Sequence, residues 1–234
     1  MRHGQHSYPF QHRAPLLSLR TISAGYDDRA MRDLWKRLHA IADATPKRLQ
    51  TRPPATESAI RAAERTIGID FPAGYRASLL VHDGQEPGDG DDDAFEWLPG
   101  HARLASLERV VAEWHVECRN FAKFYTPGDA PEPIERDALF HFLWHPKRIP
   151  IAGNPWWDQD NTLLDFFPGP AGRAGQLVIY GKGTFGALHG PSFGAAFELY
   201  VRALESGQWS FRDGFCQPRA KNMNWGKYVR KKLP

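Results

Sequence analysis

Residues 53–85, PPATESAIRAAERTIGIDFPAGYRASLLVHDGQ, hold the pattern on which the fold turns. Thr56 is a good N-cap, because its hydroxyl can accept from an orphan amide of a first helical turn, and Glu57 suits the positive helix end. Ile60, Ala63 and Ile67 follow at three-and-four spacing and line one face. Gly68 then stands where a left-handed residue ends a helix. Pro72 begins a second, shorter helix, where its missing N–H costs nothing, and Tyr75, Leu79 and Leu80 carry it toward Gly84. The segment predicts two helices in a compact hairpin.

Working outward toward the N-terminus, Asp27 or Asp28 caps a helix whose Met31, Leu34, Trp35, Leu38 and Ile41 form one apolar stripe, and Pro46 bars its continuation. Residues 1–26 show no sustained period and read as an extension over the domain surface. Toward the C-terminus, residues 85–100 are rich in Gly, Asp and Pro and read as a loop. Leu107, Val110, Val111 and Trp114 have helical spacing, and the stretch to Phe124 is less defined. Residues 126–138 hold three prolines and many charges, an exposed connection. Short apolar runs then alternate with turn residues: 149–152, 162–166, 176–180 and 185–188, four strands of an antiparallel meander. A last helix starts at Ser192, buries Phe193, Phe197, Tyr200, Val201 and Leu204, and stops at Gly207. The class is α+β, an antiparallel sheet with helices packed mainly on one face.

At 234 residues the chain is long enough for a sizeable core, and 41% hydrophobic with 24% charged residues is ordinary for a globular protein. No run approaches the roughly 18 apolar residues a membrane span needs. The N-terminal apolar segment is broken by Pro15, Ser18 and Arg20, so it lacks a secretory core, and a cytoplasmic site of action is expected. Cys118 and Cys216 are too few for a disulfide framework or a zinc site and read as free thiols.

The formal charge of +3 hides an asymmetry. Everything after Asp213 is basic: Arg219, Lys221, Lys227, Arg230, Lys231 and Lys232 face no acidic residue, so the rest of the chain is acidic on balance. A basic tail of this kind raises the pI without an organised phosphate-binding face, which argues against direct nucleic-acid binding. The expected organisation is an extension over 1–26, a domain over 27–212 and a basic tail over 213–234. The tail, with Trp225 and Tyr228 among its charges, reads as disordered in isolation, with ordering on a partner as the alternative.

The order of these signals resembles the SUKH superfamily, which includes the yeast cell-wall synthesis regulator and many bacterial immunity proteins. The residues that carry the likeness are Trp35 in the first helix, Ile60 and Glu64 in the second, Gly68-Ile69-Asp70-Phe71-Pro72, Tyr75, and Asp83-Gly84. They continue with Trp144, Ile149-Pro150-Ile151-Ala152, Leu163-Leu164-Asp165 with Pro168-Gly169, Gly175-Gln176-Leu177-Val178, and Ser192-Phe193. The likeness spans about residues 30–210 without inversion of order. It implies an α+β binding protein with no cofactor, whose bacterial relatives cover toxin domains such as nucleases, deaminases or ADP-ribosyltransferases. The long termini, the acidic 86–96 segment and the doubled Trp156-Trp157 depart from the family pattern.

Several motifs imitate chemistry. Gly190-Pro191-Ser192-Phe193-Gly194 matches G-x-S-x-G between a strand and a helix, yet a hydrolase of that topology needs a base histidine after the serine, and His189 is the last in the chain. Ser192 therefore reads as an N-cap. His141 and His145 have i, i+4 spacing but lack the glutamate of a zincin, so aromatic packing is the better reading. Asp158-Gln159-Asp160-Asn161 resembles a calcium loop without its glycine or bidentate glutamate. His3, His6 and His12 support no physiological site. No catalytic residue, cofactor or metal is expected, and the chain reads as a non-enzyme.

The candidate toxin-binding residues are Glu86, Asp89, Asp91, Asp92, Asp93, Glu96 and Trp97, with Trp156, Trp157 and Asp158. Clustered carboxylates can steer a basic toxin surface and imitate the phosphates of its substrate, and the tryptophans are potential anchors. A solvated loop and core burial of some of the tryptophans are the competing readings. The expected partner is a cognate toxin engaged by occlusion, with a monomer as the working state. The alternative is a non-catalytic regulatory scaffold that binds host proteins.

Overall fold

The computed structural model describes residues 26–45, 49–85, 98, 102–124, 133–141, 144–154, 157, 160–181, 186–212 and 215–232. In chain order these form α1 (Asp28–Asp43), α2 (Glu57–Ile67), α3 (Ala73–Leu79), β1 (Arg103–Leu104), α4 (Leu107–Phe124), β2 (Pro133–Ile134), β3 (Leu139–Phe140), β4 (Arg148–Gly153), β5 (Asn161–Asp165), β6 (Gln176–Tyr180), β7 (Ala187–Gly190), α5 (Phe193–Glu205), β8 (Trp209–Arg212), β9 (Phe215–Pro218) and α6 (Trp225–Lys232). Five strands make one antiparallel sheet in the order β1-β4-β5-β6-β7, and β2-β3 and β8-β9 are separate hairpins.

The local signals act as their chemistry dictates. Asp27 accepts from Ala30 N–H, Thr56 from Ala59 N–H and Ser192 from Ala195 N–H, each at a helix start. Gly68 ends α2 with φ +77°. The hairpin of α2 and α3 is joined by Glu64, whose carboxylate accepts from Phe71 N–H at 3.0 Å and from Arg76 Nη1 at 2.8 Å. This explains why Glu64 belongs to the recurrent pattern: it ties the Gly68–Pro72 turn to both helices.

The sheet is buried on both faces, which is why its strands read as continuous apolar runs rather than alternating ones. Ile149, Ile151, Leu164 and Leu177 join the main core with Trp35, Ile60, Tyr75, Phe193 and Phe197. Leu163, Val178 and Tyr180, one residue out of phase, face a second cluster with Leu139 and Trp144. The hairpin β2-β3 thus helps to cover the face opposite α1, α3 and α5.

Beneath that hairpin lies a polar row. Arg148 pairs with Asp165 across β4 and β5, and Asp165 pairs with Gln176 across β5 and β6. Arg148 and Asp165 are fully buried, with Arg148 Nε 3.3 Å from Asp165 Oδ1. Gln176 Nε2 donates to Asp165 Oδ2 at 3.1 Å and to Ala138 O at 2.9 Å, while Arg148 Nη2 and Tyr180 Oη donate to Phe140 O. Buried charges persist when paired and hydrogen-bonded, and here their spare donors hold the hairpin carbonyls.

One expectation gives way to the structure. Residues 215–232 are not a disordered tail: β9 pairs with β8, and α6 buries Trp225, Tyr228 and Val229 in the main core. Those three recur at helical spacing, so the lysines and arginines occupy the outer face of an amphipathic helix. His141 and His145 do not share a helix; both lie outside regular structure, and His145 stacks on Phe167 with ring centroids 3.9 Å apart. Residues 1–25, with the expected surface extension and His3, His6 and His12, lie outside the described residues.

Candidate functional site

The edge of the sheet at β1 gathers what the structure shows of the sequence-derived binding residues. Glu86, Asp89, Asp91, Asp92, Asp93, Glu96 and Trp97 lie outside the described residues, as do Trp156 and Asp158. The residues that bracket the acidic segment are placed. Gln85 N–H donates to Leu104 O at 2.9 Å, and Leu98 N–H donates to Ala102 O at 3.1 Å. Both ends of the acidic segment are therefore fastened to the stretch 102–104 that forms or adjoins β1.

Trp157 reaches the same edge from the β4-β5 connection. Arg103 of β1 pairs with Gly153 of β4, and a Cβ on Gly153 would lie 3.0 Å from Trp157 Cε3 and 2.4 Å from Asn161 Oδ1. The glycine is thus required for the indole to lie against the strand. Trp157 has φ +56°, a left-handed conformation that costs a bulky residue of order 1 kcal/mol or more. Its N–H donates to Asn154 O at 3.1 Å, and the Arg109 guanidinium lies 5.4 Å from its ring centroid. The side chain is half-buried, packed in part against the core and in part open to solvent.

Arg109 was not among the sequence-derived candidates. Its i, i+4 partner Glu113 was the available signal: Arg109 Nη2 lies 2.7 Å from Glu113 Oε1 on α4. Burial raises the Glu113 carboxyl above its ordinary range, with Arg109 opposing the shift, and burial followed by the Glu113 charge raises Glu117. The β1 edge therefore carries a cation over an indole, with carboxylates behind it.

The motifs that imitated catalysis are absorbed by the fold. Ser192 Oγ accepts from Ala195 N–H at 3.2 Å as the α5 cap. His189 is buried near Thr162, Phe197 and Tyr200, and desolvation pushes its pKa down to about 4. His39 and His82 face each other with Nε2 atoms 2.9 Å apart against Trp35, and burial lowers both. Cys118 and Cys216 are free, and burial raises both thiols, Cys216 to about 12. No described helix is long and apolar enough to cross a membrane.

These elements define an α+β protein in which caps, turns and a buried polar row build one scaffold. The chain belongs to the SMI1/KNR4 family (SUKH-1), whose profile matches residues 54–198, more than half of its length. Among curated proteins it is similar to the cell wall biosynthesis/cell cycle regulator smi1 of Schizosaccharomyces pombe, with 26% identity over 135 residues, 55% of this chain and 26% of that protein. It is also similar to the cell wall assembly regulator SMI1 of Saccharomyces cerevisiae, with 25% identity over 195 residues, 68% of this chain and 37% of that protein. The matched region spans well under half the length of either regulator.

Proposed function

We propose that this chain is an immunity protein that acts in the cytoplasm by binding a cognate toxin domain and occluding it, with no chemistry of its own. The observation that carries the reading is the β1 edge: a strained, half-buried Trp157 beneath Arg109, beside the two anchored ends, Gln85 and Leu98, of a segment with six acidic residues. An aromatic anchor with neighbouring carboxylates suits a basic toxin surface, because rigid aromatics dominate contact energy and charge governs encounter. Backbone strain in a bulky residue fits a site held ready for contact.

The test is co-purification of the full chain with the C-terminal domain encoded by the adjacent gene, together with rescue of cells that express that domain. Rescue that is lost in Trp157→Ala while the variant stays folded supports the reading. Turnover of a substrate by the purified chain, abolished by one polar substitution, overturns it. A second reading is favoured by the two yeast relatives named as regulators: a non-catalytic scaffold that binds host proteins. A gene lying away from any toxin gene, with stable host complexes, would favour that alternative.

A further inference from the structure

A groove beside α6 is lined, among the described residues, by none of the β1-edge residues Arg103, Arg109 and Trp157. It has a volume of about 420 Å³ and lies between the C-terminal end of α5, the β8-β9 hairpin and α6. Among the described residues its apolar wall is Trp209, Met223 and Tyr228, and the charged residues lining it are Arg219, Lys231 and Lys232, none of them acidic. The three cations are exposed, whereas Trp209 and Tyr228 are buried and fixed. Trp209 packs edge-on against both Trp225 and Tyr228, and Tyr228 Oη donates to Gln208 Oε1 at 2.6 Å. The Trp209 indole N–H is buried without a hydrogen-bond partner among the described residues, a costly arrangement for a polar group.

From this combination we infer that the α6 groove is a docking site for an acidic polypeptide segment, one that places an apolar side chain on Met223 and Tyr228 and carboxylates on Arg219, Lys231 and Lys232. Charge complementarity selects the sign of the occupant, since the ionic side chains that line the groove among the described residues, Arg219, Lys231 and Lys232, are all cationic. The aromatic wall selects a polypeptide over a nucleic acid: Trp209 packs edge-on against Trp225 and Tyr228, Tyr228 stacks on Trp225, and the small area they leave to the groove suits an apolar side chain rather than a stacked base. The site is separate from the β1 edge, so it holds whether or not the chain neutralises a toxin.

Selection of a random displayed-peptide library on the full chain tests this, followed by intrinsic-tryptophan fluorescence titration of the enriched peptides. The expected winners carry Asp or Glu beside an apolar residue, and the double substitution Lys231→Glu with Lys232→Glu weakens them about tenfold. Both lysines are exposed, and unchanged far-ultraviolet circular dichroism and Tm establish that the variant is folded. Neutral or basic winners, or acidic ones that bind the variant equally, overturn the proposal. Tighter binding of a short single-stranded oligodeoxynucleotide than of any acidic peptide also overturns it. Self-association of the chain through this groove, lost in the charge-reversed variant while no peptide binds, overturns it in favour of a second copy.

Discussion

Arg148 and Asp165 show how much of this fold depends on single side chains. Both are fully buried, so removing one partner strands the other charge in a dry site, a loss of about 3–5 kcal/mol. Arg148→Met is expected to lower stability by that amount in urea unfolding, and Arg148→Met with Asp165→Leu to cost less than the two single changes together. Additive costs would show that the pair is not coupled. Gly84 makes a different demand. Its φ is +76°, and a Cβ there would lie 2.5 Å from the backbone carbonyl of Ala105, so Gly84→Ala forces the Asp83-Gly84 turn away from the start of α4. Asp83 caps that helix by accepting from Leu107 N–H at 2.7 Å, and thermal melting should report a loss of more than about 1 kcal/mol. By contrast, Ser192→Ala removes one cap bond and should cost only about 1 kcal/mol in thermal melting.

Among the elements, helices and meander strands were legible where a period met a cap. Thr56, Gly68, Pro72 and Ser192 marked boundaries that the structure keeps within a residue or two. The four long strands were legible as apolar runs, but not the row Arg148, Asp165 and Gln176, because a polar residue at a strand end looks the same in sequence whether it faces water or a hairpin. The hairpins β2-β3 and β8-β9 were missed for a related reason: strands of two to four residues carry too little alternation to stand out. Helix α6 was hidden by its six neighbouring charges, although Trp225, Tyr228 and Val229 held the decisive spacing. Its removal provides the test at this scale. A chain ending before Asp213 would uncover Trp209 and Tyr200, and it is expected to lose several kcal/mol of stability or fail to remain soluble. A melting temperature unchanged by the truncation would show that α6 contributes nothing to the core. Of the candidate site, Trp157 lies among the described residues, and its strained backbone has no counterpart in the sequence pattern.

For the whole molecule, buried imidazoles set the response to acid. The pKa values of His39, His82, His145 and His189 are all lowered by burial, to about 4 for His145 and His189. At these four sites the unfolded chain therefore binds more protons than the folded one below the ordinary value of 6.5. Stability from these groups is complete above that pH and falls as the pH drops toward 4, by up to about 3 kcal/mol for the fully buried His189. Urea midpoints measured across this range should decline, and His189→Gln should flatten the decline. A midpoint that rises on acidification would contradict it. Long-range charge operates at the same scale. Under the proposed immunity function, replacing Asp89, Asp91, Asp92 and Asp93 by Asn is expected to slow association with the toxin and weaken its salt dependence, and unchanged rates at low salt would remove the acidic segment as the steering element.

The two clasps at Gln85 and Leu98, both fastened to the stretch 102–104, have a consequence for how such proteins diversify. When the exits of an insert are pinned side by side on a rigid wall, doubling its length costs only about 0.6 kcal/mol in closure entropy. Insertions, deletions and recoding between these clasps can therefore accumulate while the scaffold keeps its stability. Under the proposed binding role, a lineage could change its partner by rewriting a dozen or so codons, with the framework left untouched.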